Sequence, residues 1–138
     1  MTEKVDDNPC VFALTQVSNQ FDCENARLVT RRAGPDISCR SASMSQKCTL
    51  VYEHLKKTGL DEFGYEDDLT QVPHGVWVKI QFGGLLGLQE SVLGIQDKIE
   101  NISALVTLAE NEYGVIDDIP FAKFVTTMRG YKTRKRKR

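Results

Sequence analysis

Four cysteines are the residues of this chain whose type and position could do chemistry. All of them lie in the first 48 residues and none lies in the following 90; they are Cys10, Cys23, Cys39 and Cys48. Random placement would give such clustering in only about one or two chains in a hundred. Four is also the ligand number of a structural zinc ion and of a common iron–sulfur cluster. The clustering therefore predicts one metal or cluster site made by the four thiols.

The spacing of the cysteines bears on which cofactor they would bind. It is C-x12-C-x15-C-x8-C, with no C-x-x-C pair and no pair of histidines at zinc spacing. Zinc sites commonly take two ligands from one tight turn, about two to four residues apart, because the ion is small. A cluster is larger, so its ligands can come from separate helices and loops. We therefore expect an iron–sulfur cluster, preferably 4Fe-4S, and keep zinc as the alternative.

Basic residues crowd the cysteine region of the sequence. A cluster with four thiolates is anionic, so nearby cations would stabilise it and tune its reduction potential. The cations expected around the cluster are Arg31, Arg32, Arg40 and Lys47. Two alternatives to a metal site stay open, namely four small core residues without metal or a reversible redox pair. The missing C-x-x-C leaves no basis for choosing that pair.

The end of the chain is strongly basic. Residues 129–138, RGYKTRKRKR, hold seven of the 18 Lys and Arg, and the rest of the chain has 11 bases against 19 acids, a net charge of −8. Because like charges repel, we expect a disordered tail. It could contact nucleic acid, an anionic membrane or an acidic protein through its last cations, Arg134, Lys135, Arg136, Lys137 and Arg138.

Composition predicts one small globular domain, since 41% hydrophobic and 27% charged residues are ordinary values. We expect it to span residues 1–128, with a cysteine-rich part at 1–58 and a helical core part at 70–128. No run of 18 apolar residues occurs, so no transmembrane segment is expected. The start, MTEKVDDNPC, lacks the basic and apolar stretches of a secretory signal. We therefore expect a cytoplasmic protein, in which thiols stay reduced.

The first half of the chain predicts three helices. VFALTQVSNQF and ENARLVTRR are typical of short helices, and a turn at Gly34-Pro35 separates them from SMSQKCTLVYEHLKKTG. In the third helix we expect Ser45 as the N-cap and Gly59 as the stop. Cys48 would then lie in the first turn, where the helix dipole favours a thiolate.

The second half predicts helices with one ambiguous segment. Residues 76–88 show both the alternation of a strand and the apolar face of a helix, and Gly83 and Gly87 are expected to allow close packing. ESVLGIQDKIENISALVTLAENEYG carries a continuous apolar stripe, which predicts one helix up to Gly114. DDIPFAKFVTTM predicts a last short helix. The fold class expected is mainly α, a single domain of about five helices with at most one short strand element, and α+β is the alternative.

Three common enzyme motifs, G-x-S-x-G, H-E-x-x-H and the P-loop, are missing from the sequence. An enzyme is therefore the least supported class. We expect a small iron–sulfur protein that transfers electrons or senses redox state, with a protein redox partner. The alternative is a zinc-stabilised or metal-free interaction module, whose basic tail binds nucleic acid or an acidic partner.

Overall fold

A computed structural model of the chain describes residues 8–18, 20–66 and 71–132. This part is mainly helical with a two-stranded antiparallel sheet, which confirms the predicted fold class. In chain order the helices and strands are α1 (Ala13–Val17), β1 (Ala26–Arg31), β2 (Gly34–Cys39), α2 (Ala42–Glu62), α3 (His74–Val78), α4 (Gly84–Leu93), α5 (Ile102–Tyr113) and α6 (Val125–Gly130). A π-helix (Lys79–Gly83) joins α3 to α4, and 3₁₀ turns (Ile116–Asp118 and Phe121–Phe124) precede α6.

The hairpin of β1 and β2 stands where the second helix was predicted, so that prediction is wrong. Ala26 pairs with Cys39 and Arg31 pairs with Gly34, which places the turn at residues 32–33 rather than at Gly34-Pro35. Gly34 has φ +125°, a conformation that glycine adopts without steric cost. The β-branched residues of both strands favour extended structure. Antiparallel pairing with β2 stabilises β1 as a strand, although its charged composition is typical of a helix.

Helix α2 begins earlier and ends later than its sequence pattern predicts. Its N-cap is Ser41, whose Oγ accepts a hydrogen bond from the Met44 backbone N–H at 3.1 Å, and Ser45 lies within the helix. Cys48 therefore lies in the second turn and not in the first. Gly59 does not end the helix, because it is a contact point: a Cβ there would stand 2.5 Å from Ile80 Cγ1.

Two helical segments replace the single helix predicted for residues 90–114. Helix α4 ends at Leu93, where Gly94 takes the left-handed conformation, φ +75°, and its N–H donates to the Glu90 carbonyl. Ile95, predicted to be part of the apolar stripe, is 51% exposed in the loop that follows. Helix α5 then ends before Gly114, as predicted. The ambiguous residues 76–88 are helical throughout.

The last helix is reached through 3₁₀ turns rather than as one regular segment. Helix α6 includes Arg129 and Gly130, which the sequence assigns to the basic tail. Arg129 Nε lies 2.7 Å from Glu62 Oε2, so this cation connects α6 to α2. The predicted partner-binding residues, Arg134 to Arg138, lie outside the described residues, and the predicted domain boundaries stay predictions.

The hydrophobic core lies where α2, the π-helix, α4, α5 and α6 pack together. Its largest fully buried side chains include Phe12, Leu55, Ile80, Leu88 and Met128. The core therefore extends from the segment before α1 to the last helix.

None of the helices in the described part of the chain is both long and apolar enough to cross a membrane.

A cavity lined by four cysteines

The structure places all four cysteines in the wall of one small cavity of about 20 Å³, which has room for about one water molecule. All four are free thiols: Cys48 is buried, and Cys10, Cys23 and Cys39 are partly exposed. The other wall residues are Val11, Gln16, Asn25, Ala26, Ser45, Ile102 and Ser103. The predicted ligands are thus brought together from four separate segments of the chain.

Backbone pairing along β2 positions Cys10 and Cys39. The Cys10 N–H donates to the Ile37 carbonyl at 3.0 Å, and the Cys39 N–H donates to the Asn8 carbonyl at 2.7 Å. The segment before α1 therefore runs beside β2 and forms an isolated antiparallel bridge with it, between Pro9 and Ser38. One set of backbone hydrogen bonds fixes the positions of two of the four thiols.

The start of α5 positions Cys23. The backbone of Asp22 donates to the Ile99 carbonyl at 3.0 Å and accepts from the Ile102 N–H at 2.9 Å. On the other side of Cys23, the Glu24 N–H donates to Asn101 Oδ1 at 3.0 Å. The cysteine is held at both neighbours by residues about 80 positions away, so this part of the cavity forms only when α5 is in place.

Neutral polar groups lie within hydrogen-bond distance of two of the sulfurs. Gln16 Nε2 donates to Cys10 Sγ at 3.0 Å. Ser103 Oγ lies 2.9 Å from Cys23 Sγ and accepts a hydrogen bond from Asn25 Nδ2 at 2.9 Å. These residues were missed from the sequence. Gln16 and Asn25 are close to a cysteine along the chain, which is a weak local signal, whereas Ser103 carries none.

Two of the thiols have raised pKa values. Burial raises the pKa of Cys10 and raises the pKa of Cys48 strongly, because a thiolate loses its hydration there, and the neighbouring cysteines add repulsion between like charges. Hydrogen bonds from Gln16 and from the Phe12 backbone oppose the shift at Cys10. Burial therefore favours the neutral thiol at Cys10 and Cys48, and a metal that binds to them must displace their protons.

The cations predicted to surround the cofactor lie outside the cavity wall. Arg31 Nε pairs with Asp36 at 2.6 Å across the hairpin, and Lys47 Nζ pairs with Glu110 at 2.8 Å. Arg32 and Arg40 are exposed. Among the described residues that line the cavity there is no Arg or Lys. The polar neighbours of the sulfurs are instead neutral, namely the Gln16 amide and the Ser103 hydroxyl, and the first turn of α5 contributes Ile102 and Ser103 to the wall.

The four thiols of the described structure line the cavity without forming a preformed metal site. Within residues 8–18, 20–66 and 71–132, no group of three or more His, Cys, Asp or Glu is arranged so that it could hold a metal ion. Gln16 Oε1 is buried in this region with no hydrogen-bond partner in the described structure. Such an unpaired polar atom is uncommon in protein interiors and indicates a site whose polar groups are not all satisfied internally.

The chemistry open to this wall is that of thiols. Thiolates are soft ligands that suit iron–sulfur clusters, zinc and copper(I), and adjacent thiols can also form disulfides. The wall residues that the structure describes include no His, Asp, Glu or Lys that could serve as a general acid or base. Comparison of the chain with protein-family models, curated proteins and solved structures finds no match. Function is therefore inferred from the residues of the cavity.

Proposed function

We propose that the protein binds an iron–sulfur cluster, preferably 4Fe-4S, and serves electron transfer or redox sensing. Cys10, Cys23, Cys39 and Cys48 would be its ligands. The observation that supports this most directly is that four free thiols from four separate segments line one cavity. Four cysteine thiolates are the complete ligand set of such a cluster.

The residues present suit an anionic, sulfur-bound group. Two of the sulfurs have amide or hydroxyl groups within hydrogen-bond distance, and hydrogen bonds to ligand sulfurs stabilise clusters and set their potential. Val11 and Ile102 add an apolar part to the wall, which limits the access of water. When bound, the cluster would supply reversible one-electron exchange. The protein residues would hold it, donate hydrogen bonds to its ligands and exclude solvent.

Zinc is the less supported cofactor. No two cysteines share one tight turn. Zinc would require the sulfurs to approach one small ion at a distance of about 2.3 Å. The preference for a cluster rests on the wide spacing of the four cysteines along the sequence, since the ligands of a cluster can come from separate segments.

The wider role follows from the cofactor. An electron-transfer protein exchanges electrons with another protein, so we propose a protein redox partner and a compartment that keeps thiols reduced, such as the cytoplasm. The predicted interaction through Arg134 to Arg138 involves residues outside the described structure. No described contact favours the interaction module as a second function.

Anaerobic purification tests the proposal. The protein, as purified or after reconstitution with iron and sulfide under reducing conditions, should be brown and contain about four iron and four sulfide per chain, the composition of a 4Fe-4S cluster. Replacing any one of the four cysteines by serine should lower the iron content at least severalfold. Ser45→Ala, which changes a wall residue that is not a proposed ligand, should leave the iron content at the wild-type value.

Three results would contradict the proposal. A colourless protein that binds one zinc per chain would establish the zinc alternative. A colourless protein with no metal, in which two cysteines alone change their oxidation state, would establish a redox pair. Iron content that is unchanged in all four cysteine variants would show that the cavity does not hold the iron.

A further inference from the structure

A relay of hydrogen bonds crosses the cavity wall at Cys23. Asn25 Nδ2 donates to Ser103 Oγ at 2.9 Å, and the same oxygen lies 2.9 Å from Cys23 Sγ. The relay joins residues 78 and 80 positions apart in sequence. Ser103 is 2% exposed, so it makes these contacts out of water. In such surroundings a hydrogen bond is electrostatically stronger than in solvent.

The direction of the relay follows from the protons available. A hydroxyl has one proton to donate and can accept two hydrogen bonds. Because the amide of Asn25 already donates to Ser103 Oγ, the serine proton is free to point at Cys23. A cysteine that acts as a ligand is a thiolate and has no proton, so it can only accept. Ser103 is then the donor, and Asn25 keeps the hydroxyl in that orientation.

Hydrogen bonding is uneven among the four sulfurs. Gln16 Nε2 donates to Cys10 Sγ at 3.0 Å, which gives a second sulfur a donor. The thiol of Cys39 itself donates to the Ser41 carbonyl at 3.2 Å. A carbonyl oxygen has no proton, so it cannot donate a hydrogen bond to a thiolate. The donors therefore stand at two of the four ligands, those that precede α1 and β1.

We propose that Ser103 and Gln16 set the reduction potential of the cofactor by donating hydrogen bonds to Cys23 and Cys10, and that Asn25 is the positioning residue for Ser103. This inference rests on the proposed function. Reduction adds negative charge to the cluster and its sulfurs, so a donor stabilises the reduced state more than the oxidised state and raises the potential. The described part of the cavity wall holds no Arg or Lys to supply this effect.

The test is a redox titration of the iron-loaded protein followed by visible absorbance and electron paramagnetic resonance. Ser103→Ala should lower the ratio of reduced to oxidised protein at a fixed potential by about three- to tenfold, a change expected for the loss of one charge-assisted hydrogen bond. For a one-electron couple this corresponds to a fall of about 30 to 60 mV. Gln16→Met, which keeps the length of the side chain and removes its donor, should shift the potential in the same direction.

Further variants separate tuning from a general loss of structure. Ser103→Thr keeps the hydroxyl and should retain most of the wild-type potential. Asn25→Leu should give a smaller fall than Ser103→Ala and no further fall when combined with it, because its effect passes through Ser103. Ser91→Ala changes an exposed serine of α4 that is not part of the cavity wall, and it should leave the potential unchanged. Circular dichroism and iron content, equal to wild type, are the check on folding.

The outcomes distinguish this inference from the function on which it rests. A wild-type protein that binds no iron overturns the proposed function itself. Iron-loaded Ser103→Ala and Gln16→Met proteins that both have the wild-type potential overturn this inference alone. A Ser103→Thr potential as low as that of Ser103→Ala would likewise show that the hydroxyl is not the tuning group.

Discussion

Cys48 is 8% exposed on the inner face of α2, while the other three cysteines are partly exposed. Its burial raises the pKa of its thiol, because the thiolate would lie out of water beside the other cysteines. In the metal-free protein this residue therefore behaves as a small core side chain. As a ligand of the proposed cofactor Cys48 would be a thiolate, so binding of a cation and loss of the proton would occur together.

The metal-free protein should lose stability at alkaline pH. A pKa raised by folding contributes stability that is present below the unfolded value, near 9.0, and is lost as the pH rises above it. The free energy of unfolding should therefore fall above pH 9 by up to about 1.4 kcal/mol per pH unit for each such thiol. Urea unfolding between pH 7 and pH 10.5, under anaerobic conditions with reductant and chelator, measures this slope.

Two variants isolate the contribution of Cys48 to that slope. Cys48→Ala should flatten the dependence on pH. Val51→Ala, a change at another buried residue of α2 that does not titrate, should lower the stability by a similar amount at every pH. Equal slopes in wild type and Cys48→Ala would contradict the predicted role of the buried thiol.

At the scale of single residues, the sequence identified the cysteines but not their hydrogen-bond donors. Clustering is visible in a sequence, and it singled out the four thiols. Ser103 has no such signal, because its place beside Cys23 depends on the docking of α5. Arg31 and Lys47 were expected near the cofactor, yet each pairs with a carboxylate that lies closer, Asp36 or Glu110. Proximity to a cysteine in the sequence does not predict which carboxylate a long basic side chain will pair with.

Close contact between helices depends on glycines of the π-helix and of α4. A Cβ at Gly83 would stand 2.5 Å from Met128 Cα and 2.8 Å from the Thr127 carbonyl oxygen. A Cβ at Gly87 would stand 2.8 Å from Phe124 Cβ. Since α6 approaches Gly83, and the 3₁₀ turn that precedes α6 approaches Gly87, the predicted packing role of these two glycines is confirmed. The groups around Gly83 are backbone atoms, which cannot move aside as a flexible side chain can.

Gly83→Ala should destabilise the protein by about 2–3 kcal/mol, the upper part of the range for an overpacked core. Gly75→Ala is the matched control, because it lies in α3 with no atom within 4 Å of the new Cβ. That variant should be neutral or more stable by about 0.5–1 kcal/mol, since alanine favours helix over glycine. The midpoint of urea unfolding compares the two, and equal midpoints would show that α6 does not pack against Gly83.

Element boundaries were mistaken where a tertiary contact replaced the local signal. Gly59 was expected to end α2, but the helix continues because Ile80 fills the space beside the glycine. Gly94 was expected to lie inside a long helix, but its positive φ ends α4. The segment ENARLVTRR pairs as a strand because β2 lies beside it. The local sequence pattern does not predict which distant residues will pack against a segment, such as Ile80 beside Gly59 or β2 beside β1.

The whole molecule connects its cysteine-bearing segments to its helical core through α5. The backbone on both sides of Cys23 and the side chain of Asn25 all bond to residues 99–103. Mainly helical class could be predicted from composition and apolar periodicity. The docking of α5 beside Cys23 could not, because it depends on contacts between residues about 80 positions apart.

Removal of the proposed cofactor should therefore lower the stability of the segments that carry the cysteines and of the start of α5, and not only of the cysteines themselves. We expect the iron-loaded protein to unfold at a temperature roughly 10 °C or more above the metal-free protein, because four segments are then joined to one group. Hydrogen exchange should show increased protection in β1, β2 and the first turn of α5. The last helix, α6, serves as the internal reference and should change least. Protection confined to the residues beside each cysteine would contradict this coupling.

Ser103, the middle residue of the relay from Asn25 to Cys23, is synthesised after all four cysteines. A ribosome adds about 5–20 residues per second, so all four thiols are synthesised several seconds before Ser103 is added to the chain. A cofactor inserted during translation would meet its complete set of ligands without the hydroxyl that donates to one of them. Delivery after release would meet the finished wall. The timing of insertion would thus determine whether the proposed cluster first forms without the Ser103 hydroxyl beside Cys23 or with it.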